Sequence, residues 1–401
     1  MSAEVSAGRP YHVGLYLGVA PTSGGMFQYA QMLAESLATL PGDTFRVTAA
    51  YGHPRWAGIL RALPVERLAL TELARGERIA AVAMVARIPG ALCRKVGRIC
   101  NPLVREMLAV GCDAWIFPAQ ESLAYQFPGT AIATIHDLMH RYEPHFPEVR
   151  SLFRRGIRDQ RFGSLARECS RVLVDSEVGR RHVVESYGAD PTRIYPLPYI
   201  APGHISTAQE RPDFESTYRL PPRFLFYPAQ FWQHKNHMRL LEALKLTVAD
   251  CPDIQLVLSG GLRYEYQRVL AKARQLDLAD RVHFVGYVPD GDLRGFYVRA
   301  RALVMPTFFG PTNIPPLEAM AAGCPAVVSG IYAMPEQLGE AGLYFDPRSI
   351  EDIAGQIRRV WHDDVLAAQM VKKGRERTAA AGPAVFRRRL MDLLDGVRTG
   401  K

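Results

Sequence analysis

Leu303-Val304-Met305-Pro306-Thr307-Phe308-Phe309-Gly310-Pro311-Thr312-Asn313-Ile314-Pro315-Pro316-Leu317-Glu318-Ala319-Met320 reads as a short apolar strand, a Gly/Pro/Asn turn and the first turns of a helix. The strand is a continuous apolar run, as a sheet covered on both faces requires. The turn leaves backbone N–H groups free. Glu318 enters the helix about one turn from its start, where a carboxylate either accepts two ribose hydroxyl hydrogen bonds or caps the helix.

The same alternation extends in both directions. Towards the N-terminus, β-rich runs fall at His12 to Val19, Phe45 to Tyr51, Ala114 to Pro118, Ala131 to Ile135 and Val172 to Ser176. The second half repeats the rhythm at Phe224 to Tyr227, Gln255 to Leu258, Val282 to Val285, Leu303 to Met305 and Ala326 to Val328. Strands alternating with helical periodicity predict an α/β fold with parallel sheets. Between Pro196 and Pro222 the pattern gives way to Pro, Gly, Ser, Thr and charge, which marks an interdomain connection. The expected domains are 1–198, a linker at 199–222, a second domain at 223–382 and a closing helix at 383–401. A length of 401 residues with 48% hydrophobic content suits two cores.

In open parallel sheets ligands bind beyond the carboxyl ends of strands, so three further loops stand out. In Val19-Ala20-Pro21-Thr22-Ser23-Gly24-Gly25-Met26, paired glycines either bring helix-terminal N–H groups to a phosphate or form a plain tight turn. The loop lacks the spacing of dinucleotide-binding and P-loop motifs. His136-Asp137 follows a strand; its imidazole either meets a sugar hydroxyl or is structural, and Asp137 either holds the ring's tautomer or caps the next helix. In Tyr227-Pro228-Ala229-Gln230-Phe231-Trp232-Gln233-His234-Lys235-Asn236, a lysine at a helix start places positive charge against a departing diphosphate.

Composition narrows the partners. Six cysteines show no CxxC pair, so neither a zinc site nor a disulfide framework is expected. Met1 to Gly8 has no basic start or apolar run, and the longest apolar stretch, Ile79 to Ala86, falls far short of the roughly 20 residues of a spanning helix. A cytoplasmic protein, peripheral at most at the inner membrane face, is expected. The net charge is +9, and residues 46–110 hold eleven Arg or Lys against four Glu. Apolar residues there recur at helical spacing among the cations; such basic helices lie on anionic lipid, contact nucleic acid or present a solvated face. The lack of interleaved aromatics argues against nucleic acid.

Pro315-Pro316-Leu317-Glu318-Ala319-Met320-Ala321-Ala322-Gly323-Cys324-Pro325-Ala326-Val327, continued by Met334-Pro335-Glu336, Gly342 and Phe345-Asp346-Pro347, closely resembles the signature of the retaining glycosyltransferases of family 4. The resemblance implies a GT-B fold, with two Rossmann-like domains whose parallel sheets face each other across a cleft. It further implies an acceptor on the first domain, a nucleotide-diphosphate sugar on the second, a last helix crossing back, and neither cofactor nor metal ion.

Carried onto this sequence, the resemblance makes Lys235 the diphosphate lysine, Glu318 the ribose glutamate and His136 the histidine facing the transferred sugar, with His136 and Lys235 the catalytic pair. Gly24, Gly25, Gln230, Gly261, Tyr287, Thr312, Asn313 and Ile314 complete the donor site, with Gly260-Gly261 and Val285-Gly286-Tyr287-Val288 bordering the nucleotide. Two positions depart from the family. Gln230 stands where an arginine is usual, with His234 a candidate helper. Gly310, eight places before Glu318, replaces a glutamate; Asn313 or Thr312 is expected to take over its contacts with the donor sugar. The implied activity is retaining hexosyl transfer, from GDP-mannose or another GDP- or UDP-sugar to a lipid-linked saccharide in lipopolysaccharide or related polysaccharide assembly. The alternative is a non-catalytic sugar-nucleotide or glycan-binding protein.

Overall fold

A computed structural model describes residues 9–207, 211–262 and 264–400. Met1–Gly8, read above for a targeting signal, lies outside the described residues. The chain divides into two compact units: Met1–Tyr142 with Ser151–Tyr199 and Pro383–Lys401, and Glu143–Arg150 with Ile200–Gly382.

The first unit holds a parallel seven-stranded sheet: β1 (Tyr11–Leu17), β2 (Phe45–Tyr51), β3 (Glu66–Ala69), β4 (Ala114–Ile116), β5 (Thr130–Thr134), β6 (Arg171–Val174) and β7 (Ile194–Pro196), in the order β3-β2-β1-β4-β5-β6-β7. Every residue of β1 is buried, and Gly14 leaves the space that the Trp115 ring fills. The helix Pro383–Thr399 completes this unit. It buries Phe386, Leu390, Leu393 and Leu394, and its Arg389 carbonyl accepts from the Tyr195 hydroxyl at 3.0 Å.

The second unit holds six parallel strands: β8 (Leu225–Pro228), β9 (Leu256–Ser259), β10 (Val282–Gly286), β11 (Ala302–Met305), β12 (Ala326–Ser329) and β13 (Gly342–Phe345), in the order β10-β9-β8-β11-β12-β13. The strand order reverses between β1 and β4 in one sheet and between β8 and β11 in the other. Those switch points are where doubly wound sheets open a crevice for ligands.

Two features differ from the sequence reading. Residues 200–222, read as a connection, belong to the second unit: Ile205 and Phe214 are buried, Phe214 packs edge-on to Phe296, and the Tyr218 hydroxyl donates to Asp292 at 2.6 Å. Burying one such phenylalanine contributes about 1.5–3 kcal/mol, enough to dock a stretch whose prolines read as a linker. Strands β3, β7 and β13 were not read from the sequence. Each is an edge strand, paired on one side only, so none needs the long apolar run of a central strand.

Among the described residues no helix is long and apolar enough to cross a membrane, and all six cysteines are free.

Candidate functional site

In the second unit the loops after β8 and β11 meet at the switch point. Tyr227 is buried, and its hydroxyl donates to the Lys235 carbonyl at 2.9 Å. Asn236 takes a left-handed conformation, φ +62°, and its Nδ2 donates to the carbonyls of Pro306 and Pro347, each at 2.9 Å. These bonds fix the turn before the helix His237–Thr247, and Lys235 Nζ reaches Asn313 Oδ1 at 3.3 Å. Lys235 and Asn313, 78 residues apart in sequence, are thus brought together.

Asn313 precedes the helix Ile314–Ala322 without capping it through its side chain. Its backbone N–H donates to Gln337 Oε1 at 3.1 Å and its carbonyl accepts from Gln337 Nε2 at 2.7 Å. Pro315 and Pro316 have no N–H to offer, so Ile314 supplies the first free amide of this helix start. Gly310 sits at φ +122°, and a Cβ there would stand 2.6 Å from Asn313 Nδ2. The Asn313 amide therefore fills the place of the side chain that Gly310 lacks.

Glu318 lies in the first turns of that helix, 2% exposed. Its Oε2 accepts from the Tyr297 hydroxyl at 2.7 Å, and Oε1 has no hydrogen-bond partner among the described residues; His204 Nε2 stands 3.8 Å away. Burial pushes the carboxyl up to about 7, against the lowering effect of the Tyr297 bond. A hydroxyl donor arriving at Oε1 would satisfy a buried acceptor whose unpaired state costs about 1–3 kcal/mol.

Gln230 Oε1 accepts from the Gly261 N–H at 3.1 Å, so the residue in the usual arginine's place braces the loop after β9. Gly260, φ +153°, runs too close to the Ala229 carbonyl for any side chain. Tyr287 is exposed beyond β10, and Thr312 is buried. His234, the candidate helper, is held by Glu148: its Nδ1 lies 3.1 Å from Glu148 Oε1. Burial raises the Glu148 carboxyl, but hydrogen bonds from His234 and from the backbone, with the charge of His234, together outweigh it and leave the group below its ordinary value.

In the first unit Gly24, φ +57°, and Gly25 are exposed at the start of the helix Gly25–Leu37, which has no side-chain cap. The indole N–H of Trp56 fixes the preceding loop through the Val19 carbonyl at 2.9 Å. His136 is buried beside Tyr29 and Tyr199. Its Nε2 lies 2.8 Å from the Pro118 carbonyl and its Nδ1 2.6 Å from the Tyr199 hydroxyl. A carbonyl only accepts, so Nε2 carries the proton and Nδ1 accepts from Tyr199. Burial lowers the His136 pKa and keeps the ring neutral. Asp137 does not set this tautomer: its carboxylate accepts from the Met139 N–H at 3.0 Å and caps the short helix Met139–Tyr142.

Tyr199, Tyr297 and Gln337 escaped the sequence reading, since each is recognisable only by the distant partner it meets. Glu121 escaped it too. It lies beyond β4 with burial raising its carboxyl to about 7, and its Oε1 has no hydrogen-bond partner among the described residues.

Residues 209–377 match the family described as glycosyl transferases group 1. This stretch is a group 1 glycosyltransferase domain. Over 142 residues the chain is 32% identical to the O-antigen chain mannosyltransferase B of Escherichia coli, covering 35% of this chain and 37% of that protein. The chain thus matches less than two fifths of that relative's length. Beyond the group 1 domain, the whole chain superposes on sucrose-phosphate synthase from Thermosynechococcus elongatus with a TM-score of 0.73 at 19% identity, covering 97% of this chain and 100% of that one. Anabaena HepE in complex with UDP and glucose gives a TM-score of 0.71 at 13% identity, covering 96% and 100%. The fold is GT-B.

Proposed function

We propose that the protein is a retaining, metal-independent glycosyltransferase. It moves a hexose-type sugar from a nucleotide-diphosphate sugar to a hydroxyl of a lipid-linked saccharide in bacterial surface polysaccharide assembly. The observation that carries this reading is the pairing of Lys235 with Asn313 at the switch point of the second sheet, within the domain that buries the half-satisfied Glu318 carboxylate. Positive charge for a diphosphate and an acceptor for ribose hydroxyls are what a sugar-nucleotide donor requires. The O-antigen chain relative makes GDP-mannose the first donor to test.

In the proposed step the bond from the anomeric carbon to the diphosphate oxygen breaks as the acceptor oxygen bonds to the same face. The acceptor proton passes to the departing diphosphate, which Lys235 and the Ile314 amide stabilise. His136 contributes as a neutral, fixed ring. With both nitrogens engaged by Pro118 and Tyr199, its part is contact through the ring edge or the backbone and not through a free imidazole nitrogen. Asn313 takes the donor-sugar contacts of the absent carboxylate.

The test is calorimetry with GDP, UDP, ADP and TDP and their common sugar conjugates, without added metal, on wild type, Lys235→Ala and Glu318→Ala. Micromolar binding of one nucleotide, weakened in both variants, is expected; no binding to any would end the transferase reading. A second reading, binding without turnover, draws on Gly310 and Gln230, which remove a carboxylate and a cation. Nucleotide binding with no sugar transfer to any acceptor would be its mark.

A further inference from the structure

The helices Leu73–Val85 and Gly90–Cys100 in the first unit are packed in the reverse of the usual sense. A surface helix ordinarily turns its large apolar side chains inward. Here the inward faces are small: Gly76 and Ala80 with Met84 on the first helix, Gly90, Cys93 and Gly97 on the second. Any side chain at Gly76 would collide with Leu103, and any at Gly90 with Glu168. The Leu103 side chain thus fills the space over Gly76, and the Glu168 carboxylate covers Gly90.

Six large apolar residues point outward instead. Val82 is 68% exposed, Val85 52%, Leu92 48% and Ile99 77%, with Ile88 and Val96 also exposed. Leu92, Val96 and Ile99 recur at four and three residues and form one stripe. These six follow one another at intervals of three or four from the first helix, through the turn, to the end of the second.

Cations flank them. Arg75, Arg78, Arg87, Lys95 and Arg98 are exposed, and the last four have no ion-pair partner among the described residues. The segment's two acids are withdrawn: the Glu77 carboxylate accepts from the Tyr16 hydroxyl at 2.6 Å, and Glu72 lies 3.9 Å from Arg75. An apolar stripe bordered by unpaired cations complements an anionic bilayer, where side chains enter the acyl boundary and Lys or Arg meets phosphate. A second copy of the chain fits poorly, since it would set the same cations against one another.

We infer that this outward face, Val82 to Ile99, docks the protein on anionic lipid. The inference deepens the reading of a lipid-linked acceptor and rests on it for its purpose alone, because docking is measured without turnover.

The experiment is co-sedimentation of the full chain with vesicles of phosphatidylcholine alone and of phosphatidylcholine with phosphatidylglycerol, at low and high salt. It compares wild type with Leu92→Gln/Val96→Gln/Ile99→Gln and with Arg87→Gln/Lys95→Gln/Arg98→Gln. These side chains are exposed, so both variants should unfold at the wild-type temperature. Wild type is expected on the anionic vesicles only, released by salt, with each variant's partition reduced roughly tenfold or more. No binding to anionic vesicles, equal binding to neutral ones, or unchanged binding by the variants would overturn the inference. So would a wild-type dimer that the apolar variant abolishes. Nucleotide binding without vesicle binding would sink the docking face and leave the transferase reading intact, and the converse result would do the opposite.

Discussion

A Cβ placed on Gly310 would stand 2.6 Å from Nδ2 of Asn313, so the two residues occupy one space. The Gly310 backbone is held at φ +122°, a region that L side chains rarely adopt. Asn313 Nδ2 donates to the Gly310 carbonyl at 3.3 Å, while its Oδ1 receives Lys235. The Asn313 amide thus keeps a polar group beside the lysine without a negative charge.

Gly310→Glu, which writes the carboxylate back, is accordingly expected to lower the unfolding free energy by about 2–4 kcal/mol through backbone strain and overlap with Asn313. Adding Asn313→Gly should recover part of that loss. Urea unfolding of the two single variants and the double variant checks this as a cycle. Strictly additive losses would show that the residues do not compete for space.

The Glu318 carboxyl, pushed up to about 7 by burial, makes a pH-dependent prediction. A group whose folded pKa exceeds its unfolded value of 4.5 favours the fold fully below that value, and the advantage is lost as pH rises through about 7. By pH 8 the loss is on the order of 3 kcal/mol. Glu318→Gln keeps an acceptor for Tyr297 and cannot ionise, so its melting temperature relative to wild type should rise between pH 5 and pH 8. Glu121, also raised to about 7, titrates in both proteins and cancels. A difference that is flat in pH would refute the assignment.

Tyr199→Phe removes the donor to His136 Nδ1 and leaves a buried ring nitrogen unpaired. A stability cost of about 1–3 kcal/mol is expected. The nucleotide-binding residues proposed here lie mostly in the other unit, so calorimetric affinity for the nucleotide should stay near wild type while transfer slows. Equal losses in affinity and turnover would show that Tyr199 acts more broadly than through the His136 ring.

How much of this was legible in the sequence follows from the kind of signal each part leaves. The central strands are covered on both faces and write apolar runs, whereas β3, with Glu66 and Arg67 exposed, writes none. Lys235 and Glu318 were found because they follow strands within a local pattern. Tyr297, which holds Glu318, and Gln337, which holds the Asn313 backbone, lie 21 and 24 residues from their partners, and no local periodicity links them. His136 shows the limit most clearly: its position was readable, but both nitrogens are spent on Pro118 and Tyr199, residues 18 and 63 positions away.

Asn236 offers the sharpest structural test of the donor loop. Its Nδ2 ties the loop after β8 to the carbonyls of Pro306, after β11, and Pro347, after β13, in a backbone conformation that glycine and asparagine tolerate best. Asn236→Gly keeps the φ of +62° and loses two hydrogen bonds, for an expected cost of about 1–3 kcal/mol. Asn236→Asp keeps the shape but sets a buried carboxylate against two carbonyl oxygens, so it should cost more than the glycine variant despite being nearly isosteric. Because the turn also places Lys235, nucleotide affinity should fall in the same order, and lowering the pH should narrow the gap by protonating the aspartate. Thermal unfolding and calorimetry at pH 5 and pH 8 measure both. An aspartate variant as stable as the glycine variant at pH 8 would mean that the two carbonyls are not the partners that hold this turn.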